Sequence, residues 1–310
     1  MGKINLINQT FFLLLLLSTT MERKVFAQQN MQFTQYMFNG LVINPAYAGA
    51  DEALSLTFIQ RSQWAGIENA PNTQTLSGHT LFKKKQVGLG LTLVNDRIGV
   101  HKNLSALTSY AYHIRTGKQS HLSMGLQAGI KSLKSDYASL VNASNSDPTV
   151  YDAITSRTFF DFGAGIYFRS PVFHIGISAP ELIPQQFAIN DTLSVRLSKA
   201  NLLVFSKYRF HIDTKIDLEP SIMVKYLDGV PLSFDVNLNM IYSKVLWLGL
   251  SYRKNESIDF LMKAQATPQL QVGYSYDHPF GTVSRVSNGS HELMVQYIFR
   301  YIEKKVASPR

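Results

Sequence analysis

After residue 27 the chain holds no run of 18 consecutive apolar residues. It holds instead repeated runs, each roughly ten residues long, in which apolar and polar side chains alternate. In a strand, period two sends one set to each face. In 119–131 one parity reads Leu122, Met124, Leu126, Ala128 and Ile130, and the other Ser123, Gly125, Gln127, Gly129 and Lys131. In 230–242, Leu232, Phe234, Val236, Leu238, Met240 and Tyr242 alternate with Ser233, Asp235, Asn237 and Asn239. In 270–277, Leu270, Val272, Tyr274 and Tyr276 alternate with Gln271, Gly273, Ser275 and Asp277. The last run carries Leu293, Val295, Tyr297, Phe299 and Tyr301 on one face, and Glu292, Gln296 and Arg300 on the other.

A soluble β-sandwich or a lipocalin-like barrel also alternates, with its apolar side turned in. Three features favour the inverted, membrane arrangement. Strands of soluble proteins average about five or six residues, whereas a tilted strand needs about 9–11 to cross a bilayer. The polar parity is rich in Gly, Ser and Asn and sparse in charge, as a crowded or wet lumen requires. Aromatics gather at run ends: Trp64, Tyr110, Tyr112, Phe168, Tyr226, Tyr242, Tyr252, Tyr276, Phe299 and Tyr301, the positions of interfacial girdles. Composition agrees. Charged residues are 16 % of the chain, against about 25 % in an average soluble domain.

The runs predict strands near 53–64, 73–82, 86–95, 103–114, 120–131, 158–169, 171–179, 193–210, 214–226, 230–242, 245–254, 257–266, 269–277 and 291–301. The expected fold is therefore all-β: a single transmembrane antiparallel barrel of about 14 strands, an even number as closure requires. Within 193–210 the alternation breaks at Lys199-Ala200-Asn201. Connections at 83–86, 116–118 and 228–229 are short. Those at 132–157, 180–192 and 278–290 are long and are expected outside the cell.

The N-terminus reads as an export signal. Lys3 precedes the apolar core Phe11–Leu17, and Val25-Phe26-Ala27 is an acceptable small-x-small cleavage site. The expected division is a signal peptide at 1–27, an irregular plug-like segment at 28–52, the barrel at 53–302 and a tail at 303–310. Removing 1–27 takes away Lys3, Arg23, Lys24 and Glu22, which lowers the net charge from +9 to +7. That excess suits acidic headgroups of the outer-membrane lipid or an acidic partner. Nucleic acid is not expected for an exported chain.

Residue types that would support catalysis are scattered. Cysteine is absent, which excludes disulfides, Cys-ligated metals and a thiol nucleophile. The eight histidines form no H-x-H or H-x-x-x-H pair, and there is no G-x-S-x-G elbow or P-loop. No cofactor, metal or enzymatic activity is expected. Lumen parity collects Arg61, His113, Lys131, Asp161, Lys215, Asp217, Glu219, Lys225, Asp235, Arg253, Asp277, Glu292 and Arg300. Both signs occur, so these read as a paired network holding the barrel, or as a charged channel or docking surface for a plug. Residues 28–49 differ from the strands. Asn44-Pro45 favours a turn, and Ala46, Ala48 and Gly49 are small enough for close packing in the barrel mouth.

Five blocks, in order, carry a family resemblance. Phe33-Thr34-Gln35-Tyr36-Met37 with Asn44-Pro45-Ala46-Tyr47-Ala48-Gly49 resembles the N-terminal signature of the PorP/SprF family. Arg61-x-x-Trp64 with Ala70-Pro71 is similar to its next block, and Asp161–Tyr167 (DFGAGIY) to its central one. Gly273–Asp277 and Gly289–Glu292 resemble the closing blocks. The resemblance implies an outer-membrane protein of the type IX secretion and gliding-motility systems. It implies as partners a secreted cargo, such as an adhesin with a C-terminal signal domain, and other secretion components. It carries over no catalytic residue. The motif residues Asn44, Pro45, Tyr47, Gly49, Arg61, Trp64, Pro71, Asp161, Asp277 and Glu292 are expected to line or pack the lumen.

Two functions stay open on the sequence. One is a closed or plugged barrel that binds, anchors or helps export a cargo. The other is an open porin for small polar solutes. Inward bulk at Tyr167 and Trp247 favours a filled lumen.

Overall fold

The computed structural model describes residues 32–136, 154–183, 186–188, 194–196, 201–228 and 230–299. The expected signal peptide, residues 28–31, the middle of the two longest connections, Arg300, Tyr301 and the tail lie outside them.

Among the described residues, fourteen strands close a barrel. They are β1 (Leu54–Ser62), β2 (Asn72–Phe82), β3 (Val87–Ile98), β4 (His101–Arg115), β5 (His121–Asp136), β6 (Ile154–Arg169) and β7 (Phe173–Glu181). The second half is β8 (Asn201–Tyr208), β9 (Ile216–Leu227), β10 (Ser233–Tyr242), β11 (Leu246–Arg253), β12 (Ser257–Gln265), β13 (Leu270–Pro279) and β14 (Ser290–Phe299). Each pairs antiparallel with its sequence neighbours, β7–β8 and β8–β9 included. The seam is β1 on β14, running from Leu54 opposite Phe299 to Ser62 opposite His291. Among the described residues, closure leaves the wall no free edge, which the hydrocarbon would not tolerate.

The two faces follow the sequence parity. Leu126 is 65 % exposed and Phe160 71 %, while Gln127 beside Leu126 is 7 % exposed. The exposed set, with Leu76, Leu91, Ile166, Ile177, Leu238, Leu250 and Phe260, forms an apolar belt of the kind lipid covers. Aromatic contacts mark both rims. Phe168, Phe173, Tyr208 and Phe210 touch in series, and Tyr297 stacks edge-on with Phe299. At the opposite rim Tyr252 meets Phe280, and Tyr276 meets His291.

One rim carries the short turns 83–86, 116–120, 170–172, 209–215, 243–245 and 266–269. The other carries the longer connections 63–71, 137–153, 182–200 and 280–289, together with three tight turns. By the usual asymmetry of such barrels the long-loop rim faces outward.

Three expectations need correction. The run 193–210 is not one strand. The wall strand is Asn201–Tyr208, while Ser194–Arg196 pairs with Gln186–Ala188 in a separate two-stranded unit. The break in alternation at 199–201 marks this boundary, and the pairing register of β8 with β7 shifts between Asn201 and Leu203. Lys215 is not in the lumen: it lies exposed in the 209–215 turn. Trp64 is not a girdle residue of a strand. It sits in the 63–71 loop with a left-handed backbone, φ 53°.

Residues 32–53 thread the barrel. Gln32–Gln35 lie at the long-loop end, beside the last turns of β1 and β11 and the start of β14. The chain then descends through two short 3-10 turns, Gly40–Val42 and Pro45–Tyr47. It reaches the short-turn rim at Ala53, where β1 begins. Nearly every residue from Phe33 to Ala50 is buried. The molecule's apolar core is the interface of this plug with the wall. Phe33, Tyr36, Met37, Phe38 and Ile43 pack on inward residues such as Ile59, Tyr167, Phe205, Leu261 and Met294.

Candidate functional site

The upper plug is bolted to the wall by buried charge. Arg61 stands one residue from the end of β1 with its side chain inward. Its Nη2 lies 2.7 Å from Asp277 Oδ2 and its Nη1 3.1 Å from Glu292 Oε2. The same Nη1 donates to Thr34 Oγ1 at 2.8 Å. Thr34 Oγ1 donates to Asp277 Oδ2 at 2.7 Å and accepts from Arg253 Nη2 at 3.3 Å. One donated and two accepted bonds use the full capacity of a hydroxyl. Glu292 receives two plug amides, Thr34 N at 2.9 Å and Gln35 N at 2.8 Å. Gln35 Nε2 donates to the Glu292 carbonyl.

Arg253, on β11, extends the cluster. It lies 3.5 Å from Asp235 and 3.7 Å from Asp259, and Lys225 Nζ stands 2.8 Å from the other Asp235 oxygen. Arg61, Arg253, Asp235, Asp259, Asp277 and Glu292 are each at most 2 % exposed. Ions so far from water are tolerable only with partners of opposite sign and satisfied hydrogen bonds. The plug backbone supplies some of those bonds, so plug and wall depend on each other.

The lower plug is held differently. Asn44 caps the second 3-10 turn, accepting from Ala46 N at 2.9 Å, and its Nδ2 donates to the Ile166 carbonyl at 3.0 Å. Pro45 takes the first position of the turn, where the missing N–H costs nothing. Glycines on the wall make room. A Cβ on Gly125 would overlap the Pro45–Ala46 backbone, and one on Gly88 the Ala48 carbonyl. Gly49 has φ +84° and donates its N–H to His79 Nδ1 at 3.1 Å. Tyr47 packs edge-on against Tyr167 and His79 and donates to Asp51 at 3.0 Å. At the rim, a hydrogen bond from Arg169 at 2.6 Å holds the Glu52 carboxyl below its ordinary range.

The motif residues thus fall into three places. Arg61, Asp277 and Glu292 meet at the clamp. Trp64 lies just above them, where its N–H donates to Ser290 Oγ and Ala65 bonds to Gly289. Pro71 closes the same loop, its carbonyl accepting from Gln63. Asn44, Pro45, Tyr47 and Gly49 form the lower plug. Asp161 stands apart on β6, 2.6 Å from Lys131, which also meets Glu181 at 2.6 Å.

Sequence reasoning missed Asp259 and Lys263. Both hold lumen parity in the run 257–266, and that parity was the available signal. Lys263 Nζ sits 4.2 Å from the Phe38 ring centre and 4.1 Å from that of Trp247, and donates to Gln271. Such a contact is worth roughly 2 kcal/mol when desolvated.

Beside the plug, between it and the wall, a cavity of about 400 Å³ is lined by Phe33, Leu41, Leu107, Leu203 and Met223 among others. Among the described residues no three His, Asp or Glu side chains converge as metal ligands. The site holds a segment in place.

A closed antiparallel wall, an apolar outer belt between aromatic rims, and a polar lumen filled by the chain's own N-terminal segment define a plugged outer-membrane β-barrel. Residues 25–297 match the family of type IX secretion system membrane proteins PorP/SprF, and the chain belongs to that family. No curated protein matches the chain. Among solved structures, the Acinetobacter baumannii outer membrane protein Omp33 is similar at 8 % identity, covering 80 % of this chain and 98 % of its own, with a TM-score of 0.48. The CymD monoaromatic hydrocarbon channel aligns at 12 % identity over 85 % of this chain and 92 % of its own, TM-score 0.48. The KdgM porin aligns at 10 % over 79 % and 99 %, TM-score 0.41. Likenesses this distant say nothing of what the chain conducts or binds.

Proposed function

We propose that this barrel is a sealed platform whose outer face binds a secreted cargo of the type IX system through the cargo's C-terminal signal domain. It acts by anchoring or helping to export that cargo, without enzymatic chemistry. The observation that carries the reading is the filled lumen. Residues 33–50 occupy the bore, and hydrogen bonds between Thr34 and Gln35 and the buried charged side chains of β1, β11, β13 and β14 tie them to the wall. Paired charges close a channel more readily than they select an ion. Longer connections cluster on one rim, and such loops commonly carry binding. The same reading takes 1–27 as a removed signal peptide, 28–52 as the plug, 53–302 as the barrel and 303–310 as a tail.

Deleting the gene should release a type IX cargo into the medium or block its export, with permeability to small solutes unchanged. Pull-down with the detergent-solubilised barrel should recover the cargo's C-terminal domain. A large, stable conductance in planar bilayers without cargo recovery would favour the porin reading instead.

A further inference from the structure

The short-turn rim is unevenly charged. The adjacent turns joining β2–β3 and β4–β5 carry Lys83, Lys84, Lys85, Arg115 and Lys118, all exposed, and no acidic residue occurs within 83–86 or 115–120. On the same rim the 170–172 and 266–269 turns have no charge, the 243–245 turn has only Lys244, and in the 209–215 turn Arg209 is paired with Glu219 and Lys215 is accompanied by Asp213. A belt of lysines serving the membrane interface in general would be spread around the barrel. This one is a patch.

Local bonding fixes the patch. Residues Lys83–Lys85 form a 3-10 turn closed by Gln86 with φ 55°. The His113 N–H donates to the Gln86 carbonyl at 2.8 Å, which ties the first turn to β4. Arg115 Nε and Nη2 donate to the Gly117 and Lys118 carbonyls, both at 3.0 Å, which holds the second turn. The nearest acidic residue of the plug, Glu52, is engaged by Arg169.

Depth identifies the partner. Phe82, exposed on the lipid side, directly precedes Lys83, and the Tyr112 hydroxyl reaches the Gln86 side chain at 3.4 Å. The cations therefore begin where the aromatic girdle ends, at the level of lipid phosphates. We propose that this patch binds the negatively charged headgroup of a phospholipid in the leaflet at the short-turn rim. An acidic protein would have to reach through the headgroup layer to meet the same side chains. The proposal is independent of cargo binding.

The test uses the full protein in nanodiscs of phosphatidylethanolamine doped with phosphatidylglycerol. Native mass spectrometry reads which lipid is retained on release. Wild type should retain phosphatidylglycerol in excess of its share, and the excess should shrink as ionic strength rises. The triple variant K83Q/K84Q/K85Q should lose about tenfold or more of that preference, and K118Q alone a smaller part. The pair R97Q/K102Q, at the opposite end of β3 and β4, should keep it. Unchanged enrichment in the triple variant would overturn the proposal. So would loss of a co-purifying acidic protein with lipid enrichment intact, which would make the patch a protein surface. If the triple variant fails to fold, K118Q and the salt series decide the matter alone.

Discussion

Above Tyr36 the plug is held by charge, and below Ile43 by small residues set against glycine. The upper contact joins Thr34 and Gln35 to Arg61, Arg253, Asp277 and Glu292 through hydrogen bonds to charged side chains that are themselves ion-paired along the wall. The lower contact brings the Ala46 and Ala48 backbone onto Gly125 and Gly88, with neutral hydrogen bonds from Asn44 and Tyr47. The first is directional and fails when one partner is removed. The second is steric and fails when an atom is added. The upper contact also spans the seam, because Arg61 lies on β1 and Glu292 opposite it on β14. A plug released there would weaken the closure of the wall as well.

The largest effect is expected from Arg61→Met. It removes the cation from Asp277 and Glu292 and leaves both carboxylates buried. Breaking a buried pair in this way costs about 3–5 kcal/mol, to be read from urea unfolding of the folded barrel. Adding Glu292→Gln to the same chain should recover part of the loss, since one stranded charge is removed. A loss under about 1 kcal/mol for Arg61→Met would mean that the upper clamp contributes little.

Gly125→Val tests the lower half. Its side chain would enter the Pro45–Ala46 backbone, and overpacking of this kind costs about 1–3 kcal/mol. The clamp should survive, so the plug should lift only at the short-turn end. Because the chain has no cysteine, a single Ala50→Cys reports this directly. Ala50 is buried and should resist maleimide in the parent, but react in the Gly125→Val background. Equal labelling in both would show that the glycine cradle does not seat the plug.

The wall was legible from sequence because lipid imposes a single rule on every strand. Alternation located all fourteen, but it faltered near Lys199-Ala200-Asn201, where the wall strand starts later than the run, and it stopped short of β5 and β6, which take in 132–136 and 154–157 of the expected connection. The clamp was legible only in part. Parity placed Arg61, Arg253, Asp277 and Glu292 in the lumen, but it says nothing of the register that sets Arg61 opposite Glu292 and Asp235 opposite Arg253 on neighbouring strands. Their link to the plug runs through Thr34, an uncharged residue 27 positions from Arg61 and 243 from Asp277, whose path no periodicity describes. Lys215 had the parity of its neighbours but lies beyond the first residue of β9, where alternation no longer means facing.

A smaller effect separates the neutral bonds of the lower plug from the charged bonds above. Tyr47→Phe keeps the ring against Tyr167 and His79 and removes only the donor to Asp51. Asp51 retains His79 at 3.4 Å. One such bond is worth about 0.5–1.5 kcal/mol, so unfolding should shift by several-fold less than for Arg61→Met. A loss as large as that of Arg61→Met would mean that the lower plug is also held by charge.

The smallest effect belongs to the rim, where the plug leaves the lumen. Glu52 is 41 % exposed and pairs with Arg169 at 2.6 Å. The hydrogen bond from Arg169 lowers its pKa from the ordinary 4.5. The folded chain therefore keeps this carboxylate charged at a pH where the unfolded chain has begun to bind a proton. The contribution is complete above about pH 4.5 and is lost as pH falls through the lower folded value. Exposure and salt limit it to about 0–1 kcal/mol. Unfolding free energies of wild type and Glu52→Gln should thus differ slightly at pH 7 and converge towards pH 3, with the difference shrinking in high salt. A gap that widens on acidification would reverse the sign. It would mean that Glu52 is stabilised as the neutral acid, and that the rim, unlike the clamp above it, does not hold the plug by charge at all.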